Sequence, residues 1–191
     1  MKEFDRNIPE MYYAFEDEKR EVLIKRHDTP SPWMNYLSNG TFHTMISQAG
    51  GGVSFYKSPQ IWRINRYRFF HLPTDRSGFY CYLRDKKNGK YWCPTAEPAL
   101  EKPDTWKAWH GTGYTRFLAE KDNLKADLTY FVGKEPNALV WKLRLTNTSL
   151  QEKELDLFSY VEFGMMEYLR EVSWACYMKH QMTVYFLEKE D

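Results

Sequence analysis

The strongest constraint on the fold is a two-residue alternation of apolar and polar side chains in the second half of the chain. The positions that share a face are Leu124, Ala126, Leu128, Tyr130 and Val132, then Leu139, Trp141, Leu143 and Leu145, then Leu155, Leu157, Ser159, Val161 and Phe163. Such alternation is typical of strands that bury one face, and short polar turns separate the three segments. We expect these segments to form an antiparallel meander with one buried face. Because apolar sheet faces must close on each other, the sequence predicts an all-β antiparallel sandwich.

The first half of the chain carries further strand signals. Asn88-Gly89 separates two aromatic-rich alternating segments, and this dipeptide is the strongest short-range signal of a β-hairpin. Three consecutive glycines, residues 50–52, lie between two apolar runs, where a tight turn with positive φ is expected. Strands are therefore predicted at residues 21–25, 41–47, 53–56, 79–85 and 91–93.

The C-terminal part departs from this pattern. In residues 162–180 the apolar positions recur mostly at steps of three and four, which indicates a short helical or loop segment. Residues 182–187 return to a strand pattern. No composition shift marks a linker and nothing in the last residues is typical of a domain end. We therefore expect a single domain over residues 1–191 that is incomplete at its C-terminus.

Composition argues against several classes of protein. The formal net charge is only +1, whereas general nucleic-acid binders depend on clustered positive charge. No apolar run approaches the length of a membrane span, and the N-terminal residues lack the apolar core of a secretory signal. The three cysteines, Cys81, Cys93 and Cys176, form neither a CxxC pair nor a secreted disulfide framework. We expect a cytoplasmic protein with neither nucleic-acid nor membrane partners.

Neither a metal site nor a catalytic residue is predicted. The five histidines lack the paired spacing of metal ligands, and no nucleophile signature is present. The glycines of the segment 110–113 are not followed by the helix and lysine that a phosphate loop needs. We interpret them as residues that allow a close approach to the backbone. Three carboxylates lie on outward strand faces: Asp127, Glu154 and Asp156. We interpret them as part of the solvent-exposed surface. We also expect no cofactor.

One candidate site is the arginine-rich segment 62–70, which reads WRINRYRFF. Arg63, Arg66 and Arg68 alternate there with aromatic rings, and such groups suit sugar hydroxyls, phosphate or an acidic partner surface. The alternative is a stabilised loop in which the arginines pair with nearby carboxylates such as Asp75. The sequence leaves both interpretations open.

A second candidate site is the segment 160–172, which reads YVEFGMMEYLREV. Glu162 and Glu167 lie at the end of a predicted strand and in the tail that follows. They are therefore better placed to meet a ligand than carboxylates on strand faces. None of these carboxylates has a sequence context that would raise its pKa.

The order of motifs between Asp28 and Asp85 is specific. It runs from DTPSPWMNYL through GGG, SFY and RINRYRFF to DRSGFYCYLRD. This run resembles the opening of the β-sandwich domain of glycoside hydrolase family 94, the inverting disaccharide phosphorylases such as cellobiose and chitobiose phosphorylase. The resemblance extends from about Tyr13 to Phe186 and includes the segments HGTGYT and SYVEF.

The resemblance implies a galactose-mutarotase-like β-supersandwich at the N-terminus of a longer enzyme, a glycosyltransferase. It further implies a helical linker and a catalytic (α/α) barrel that this chain does not contain. The implied reaction converts a β-linked disaccharide and inorganic phosphate, the co-substrate, into a sugar 1-phosphate and a free sugar. The family's catalytic acid lies in that barrel, so the chain alone is not expected to be a phosphorylase.

The resemblance also implies roles for the two candidate sites. The arginine-rich region lies near the family's homodimer interface and site rim, which makes Arg63, Arg66 and Arg68 candidates for those roles. The loop after SYVEF lines the acceptor-sugar subsite. Its candidate residues in this chain are Glu162, Glu167, Arg170 and Glu171. Two alternatives are a free-standing carbohydrate-binding sandwich and a structural dimerisation module.

Overall fold

The computed structural model describes residues 11–66, 77–165, 167–171, 173, 183 and 185. Twelve strands lie in these residues, joined by turns and loops. They are β1 Tyr13–Glu16, β2 Glu21–Ile24, β3 Met34–Ser38, β4 Phe42–Ser47, β5 Gly52–Tyr56, β6 Tyr80–Asp85, β7 Tyr91–Trp92, β8 Thr105–Gly111, β9 Thr115–Lys121, β10 Leu124–Val132, β11 Leu139–Asn147 and β12 Leu155–Tyr160. No helix in the described residues is long and apolar enough to cross a membrane.

The strands form three sheets in the described part of the chain. The largest has the order β1-β2-β8-β9-β10-β11, and the two smaller sheets have the orders β12-β6-β7 and β3-β4-β5. Every strand pair is antiparallel. The predicted all-β antiparallel class is therefore confirmed.

The core lies between the six-stranded sheet and the two smaller sheets. One cluster joins side chains of both layers: Ile24, Ala108, Phe117, Leu128 and Tyr130 with Leu37, Ile46, Phe79 and Cys81. A second cluster packs Leu83 and Trp92 against Ala119, Leu124 and Ala126. The alternation of apolar and polar residues gives each layer one apolar face. These faces are buried against each other, so the hydrophobic effect holds the two layers together.

The glycine-rich turn is confirmed between β4 and β5, which pair in register. Gly50 has φ of +80°, a conformation that residues with a Cβ rarely adopt. A Cβ on Gly52 would lie 1.9 Å from the carbonyl oxygen of Met45. The turn therefore requires glycine at both positions.

The hairpin around Asn88-Gly89 is also confirmed, since β6 and β7 pair directly. The connection spans residues 86–90, and Gly89 has φ of +73°. The Asp85 side chain closes the turn by accepting a hydrogen bond from Lys87 N at 2.7 Å. With β7 on one side and β12 on the other, β6 lies at the centre of its sheet.

The predicted three-stranded meander is wrong in its last strand. β10 and β11 pair over their full length, but β12 pairs with β6. Leu143 of β11 and Leu155 of β12 pack against the same buried cluster from opposite layers. The predicted buried face also ends early, because Leu157 is 55% exposed. Alternation reveals which face of a strand is apolar but not which strand lies beside it.

The tail is described only in part. Residues 168–171 are helical, which agrees with the predicted helical or loop segment. Of the predicted strand 182–187, only Thr183 and Tyr185 are described, and neither lies in a strand. Arg68 and Asp75 of the arginine-rich region lie outside the described residues, as does Cys176.

Candidate functional site

The two candidate segments, predicted separately, lie against each other. Residues 60–66 and 162–171 are joined by backbone hydrogen bonds and by an isolated antiparallel bridge between Asn65 and Phe163. These bonds run from Arg66 N to Glu162 O at 2.8 Å, from Gly164 N to Ile64 O at 2.9 Å, and from Tyr168 N to Gln60 O at 2.7 Å. The segments therefore form one structural unit, whose charged residues we call the Arg–Glu junction: Arg63, Arg66, Glu162 and Glu171.

The centre of the junction is a buried ion pair between Arg63 and Glu171. Arg63 Nη1 donates to Glu171 Oε2 at 2.5 Å, and the two residues are 3% and 4% exposed. Arg63 Nε also donates to the carbonyl oxygen of Pro59, at 3.2 Å. The guanidinium lies 4.6 Å from the ring centroid of Tyr168, a cation–π arrangement. Arg63 therefore ties the tail to the loop before β6 through several contacts at once.

A second ion pair flanks the first. Arg66 Nε lies 2.7 Å from Glu162 Oε2, and both side chains are largely buried. The two acidic residues of the junction are thus held by arginines of the other segment. This result favours the interpretation in which Arg63 and Arg66 pair with carboxylates. The partners shown are glutamates of the tail, and Asp75 lies outside the described residues.

Asn65 is a residue that the sequence reasoning missed. Its side chain is 1% exposed, accepts a hydrogen bond from Ser54 N at 2.7 Å and donates to Gly52 O at 3.0 Å. It therefore fixes the arginine-rich segment to β5. The sequence did contain a signal for Asn65. In an extended segment alternate side chains point to the same side, so a buried Arg63 implies that Asn65, two positions later, also points inward.

Glu167 and Arg170 occupy the outward side of the tail. Arg170 Nε lies 3.5 Å from Glu167 Oε2, with side chains 72% and 37% exposed. An exposed pair of this kind is weak and can rearrange around a ligand. Of the four tail candidates, these two are the more accessible.

Exposed apolar side chains surround the junction. They lie between 46% and 62% exposed and belong to both segments: Ile61, Trp62, Phe163, Met165 and Leu169. We call this group the apolar rim. Contiguous exposed apolar surface beside polar groups is typical of interaction sites.

Of the two glycines after His110, only Gly111 has the close approach that the sequence indicated, since nothing lies within 4 Å of a Cβ on Gly113. A Cβ on Gly111 would lie 2.9 Å from the Tyr114 ring, which confirms the close approach. His110 Nε2 donates to Trp33 O at 3.0 Å, and Nδ1 lies 3.1 Å from the hydroxyl of Thr115. Burial lowers the pKa of His110 to about 4, so the ring is neutral and committed to internal hydrogen bonds.

The buried cysteines and Asp127 have structural roles. Burial raises the pKa of Cys81 to about 11 and of Cys93 to about 12, which suppresses the nucleophilic thiolate. Asp127 is held by Arg116 through hydrogen bonds of 2.8 and 2.7 Å, which lower its pKa. Asp156 lies 3.8 Å from Arg84. The described residues contain no group of three or more His, Cys, Asp or Glu side chains that could hold a metal ion.

Comparison with known proteins identifies the fold. The supersandwich domain of glycosyl hydrolase 94 matches residues 19–191. The N,N'-diacetylchitobiose phosphorylases of Vibrio furnissii and Vibrio proteolyticus are each 36% identical over 176 residues, which is 91% of this chain and 21% of theirs. A 3-O-beta-D-glucopyranosyl-beta-D-glucuronide phosphorylase of Paenibacillus borealis is 31% identical over 154 residues, 80% of this chain and 19% of that protein.

The chain therefore spans about a fifth of the length of these relatives. The match covers strands β2 to β12 and the Arg–Glu junction, and it agrees with the antiparallel layers of the structure. The chain belongs to the glycosyl hydrolase 94 supersandwich domain family.

Proposed function

We propose that this chain is the N-terminal domain of an inverting glycoside phosphorylase and that it frames the acceptor-sugar site and the homodimer interface. The reaction would convert a β-linked disaccharide and inorganic phosphate into a sugar 1-phosphate and a free sugar, with no other cofactor. The carbohydrate-phosphorylase names of the relatives support this reaction class. A cytoplasmic location remains part of the proposal.

The observation that carries the proposal is the way the Arg–Glu junction presents the tail. A buried pair holds Glu171 and a partly buried pair holds Glu162, while Glu167 and Arg170 remain on the accessible side. A rigid support with an exposed charged pair is what a sugar-binding loop requires, because sugar hydroxyls need donors and acceptors in fixed positions. The buried residues would position the loop, and the exposed pair would meet the acceptor.

The domain would contribute positioning rather than acid catalysis. A general acid for glycosidic chemistry needs a carboxyl group with a raised pKa. The pKa values of Asp28 and Asp127 are instead lowered by hydrogen bonds from Arg26 and Arg116. We expect the acid to come from the barrel that the family resemblance implies.

The apolar rim supports the assembly part of the proposal. Trp62, Phe163 and Met165 are each at least 46% exposed, on both sides of the junction. Aromatic and methionine side chains are enriched in protein interfaces, so this surface suits contact with a second subunit. A subunit docked on the rim would bring its own sugar site close to Glu167 and Arg170.

The test is Arg170→Ala in the complete enzyme, with kinetics in the synthetic direction from sugar 1-phosphate. Loss of a charge-assisted contact to the acceptor should raise the KM for the acceptor roughly tenfold. The KM for sugar 1-phosphate should stay unchanged. The control is Arg144→Ala, which removes an exposed arginine from β11. An unchanged acceptor profile, or equal effects on both substrates, would contradict the proposal.

A further inference from the structure

The outer face of the β12-β6-β7 sheet carries an unassigned cluster of aromatic side chains. We call it the aromatic platform: Tyr82, Tyr91, Phe158 and Tyr160. It borders a shallow cleft of about 350 Å³ that Arg84 and Ser159 also line. Tyr91, Phe158 and Tyr160 are 46%, 50% and 42% exposed, which is high for large rings on a sheet.

Strand register explains why these rings share one surface. Tyr82 lies opposite Phe158 in the pairing of β6 with β12. Arg84 lies opposite both Tyr91 and Asp156. Directly opposed residues of neighbouring strands point to the same side of a sheet. The alternate positions of β6, including Leu83, point instead into the core.

Neighbouring aromatic side chains on the same face of the sheet support the rings. Tyr80, only 1% exposed, stacks on Tyr160 with ring centroids 6.4 Å apart and an interplanar angle of 28°. Tyr82 and Tyr91 lie 6.1 Å apart in a tilted arrangement. Burial raises the pKa of Tyr82 to about 12, so its hydroxyl stays a neutral donor and acceptor. The platform is therefore a pre-formed surface that needs little ordering when a ligand binds.

Polar groups lie in the same rows as the rings. Arg84 Nε is 3.8 Å from Asp156 Oδ2, a separation longer than a hydrogen bond, and the side chains are 48% and 34% exposed. A purely apolar partner would have to desolvate this pair at a cost. A pyranose would satisfy both features, because its C–H face packs on aromatic rings and its hydroxyls bond to charged groups.

We propose that the aromatic platform is a second carbohydrate site, which binds a linear β-linked oligosaccharide. Extended β-linked chains present successive flat pyranose faces, and several exposed rings on one sheet face offer such faces separate stacking surfaces. β12 ends at Tyr160, two residues before Glu162. The strand that carries Phe158 and Tyr160 therefore leads into the segment that contains Glu162.

This site is independent of the proposed acceptor loop. None of its residues belongs to the junction, and its ligand needs neither phosphate nor a second subunit. If the Arg170 test shows no acceptor role, the proposal for the platform still stands. If the platform does not bind sugar, the result of the Arg170 test is unaffected.

The test measures the binding of cellohexaose to the purified chain, using changes in amide chemical shifts in heteronuclear NMR spectra. We expect perturbations concentrated in β6, β7 and β12. Phe158→Ala and Tyr91→Ala should each weaken binding about tenfold, since each removes one stacking surface. Maltohexaose, whose α-linked chain coils, should bind more weakly than cellohexaose.

The matched control is Tyr36→Ala, which removes an exposed aromatic ring, 69% accessible, from a different sheet. Binding by this variant should equal that of the unmodified chain, with circular dichroism confirming that all variants fold. If Phe158→Ala fails to fold, Tyr91→Ala and Arg84→Met keep the test decisive. The proposal is overturned by an absence of shifts, by equal loss in Tyr36→Ala, or by self-association that Phe158→Ala abolishes.

Discussion

At the scale of single residues, the site depends on which charges are buried together. Arg63 and Glu171 are separated by 108 positions in sequence, and each is almost fully buried. Both residues were candidates in the sequence analysis because of their residue types. No local sequence pattern could reveal that the two residues pair with each other. Asn65 gave a weaker signal, since only its buried hydrogen bonds to the β5 backbone show its importance.

Removing one partner of this buried pair should be costly. Glu171→Gln leaves the Arg63 guanidinium buried without its counter-charge, and we expect the free energy of unfolding to fall by about 3 kcal/mol. Urea unfolding followed by circular dichroism measures this change. The double variant Arg63→Met/Glu171→Leu should lose less than Glu171→Gln alone, because no charge is left buried.

The exposed pair between Lys86 and Glu154 supplies the control, since its atoms are 3.5 Å apart and both side chains face solvent. Glu154→Gln should change the unfolding free energy by less than about 0.5 kcal/mol. Equal losses in Glu154→Gln and Glu171→Gln would show that the buried pair has no special role in holding the tail.

At the scale of elements, alternation and turn chemistry predicted much of the sheet structure. The hairpin of β6 and β7 and the turn between β4 and β5 follow from Asn88-Gly89 and from the three glycines. The partner of β12 was not predictable, because residues 148–154 connect two layers rather than two neighbouring strands. Long-range pairing depends on the packing of Leu143 and Leu155 on a shared core, which no local window contains.

The two glycine turns should respond differently to alanine. In Gly52→Ala the new Cβ would lie 1.9 Å from Met45 O, so β4 and β5 would have to separate. In Gly89→Ala nothing lies within 4 Å, and only the positive φ opposes substitution, at about 1 kcal/mol. Thermal unfolding should show a severe loss for Gly52→Ala and a modest one for Gly89→Ala. Similar losses in both variants would contradict this interpretation of the β4–β5 turn.

At the scale of the whole molecule, the chain combines a packed sandwich with surfaces left exposed. The core is continuous between layers, whereas the apolar rim, the Glu167–Arg170 pair and the aromatic platform lie outside it. The motif order predicted the family, which the comparison confirms over residues 19–191. The sequence also supplied the residue types of the candidate site, but their division into buried supports and exposed contacts required the three-dimensional structure.

The central claim is that this domain positions an acceptor sugar and does not perform the chemistry. The most direct measurement is phosphate release by the purified, folded chain, given glucose 1-phosphate and a panel of acceptor sugars. A complete chitobiose-type phosphorylase with its own substrates serves as the positive control. We predict no release above a buffer blank. Release that rises with the concentration of the chain would place the acid within these residues and contradict the account.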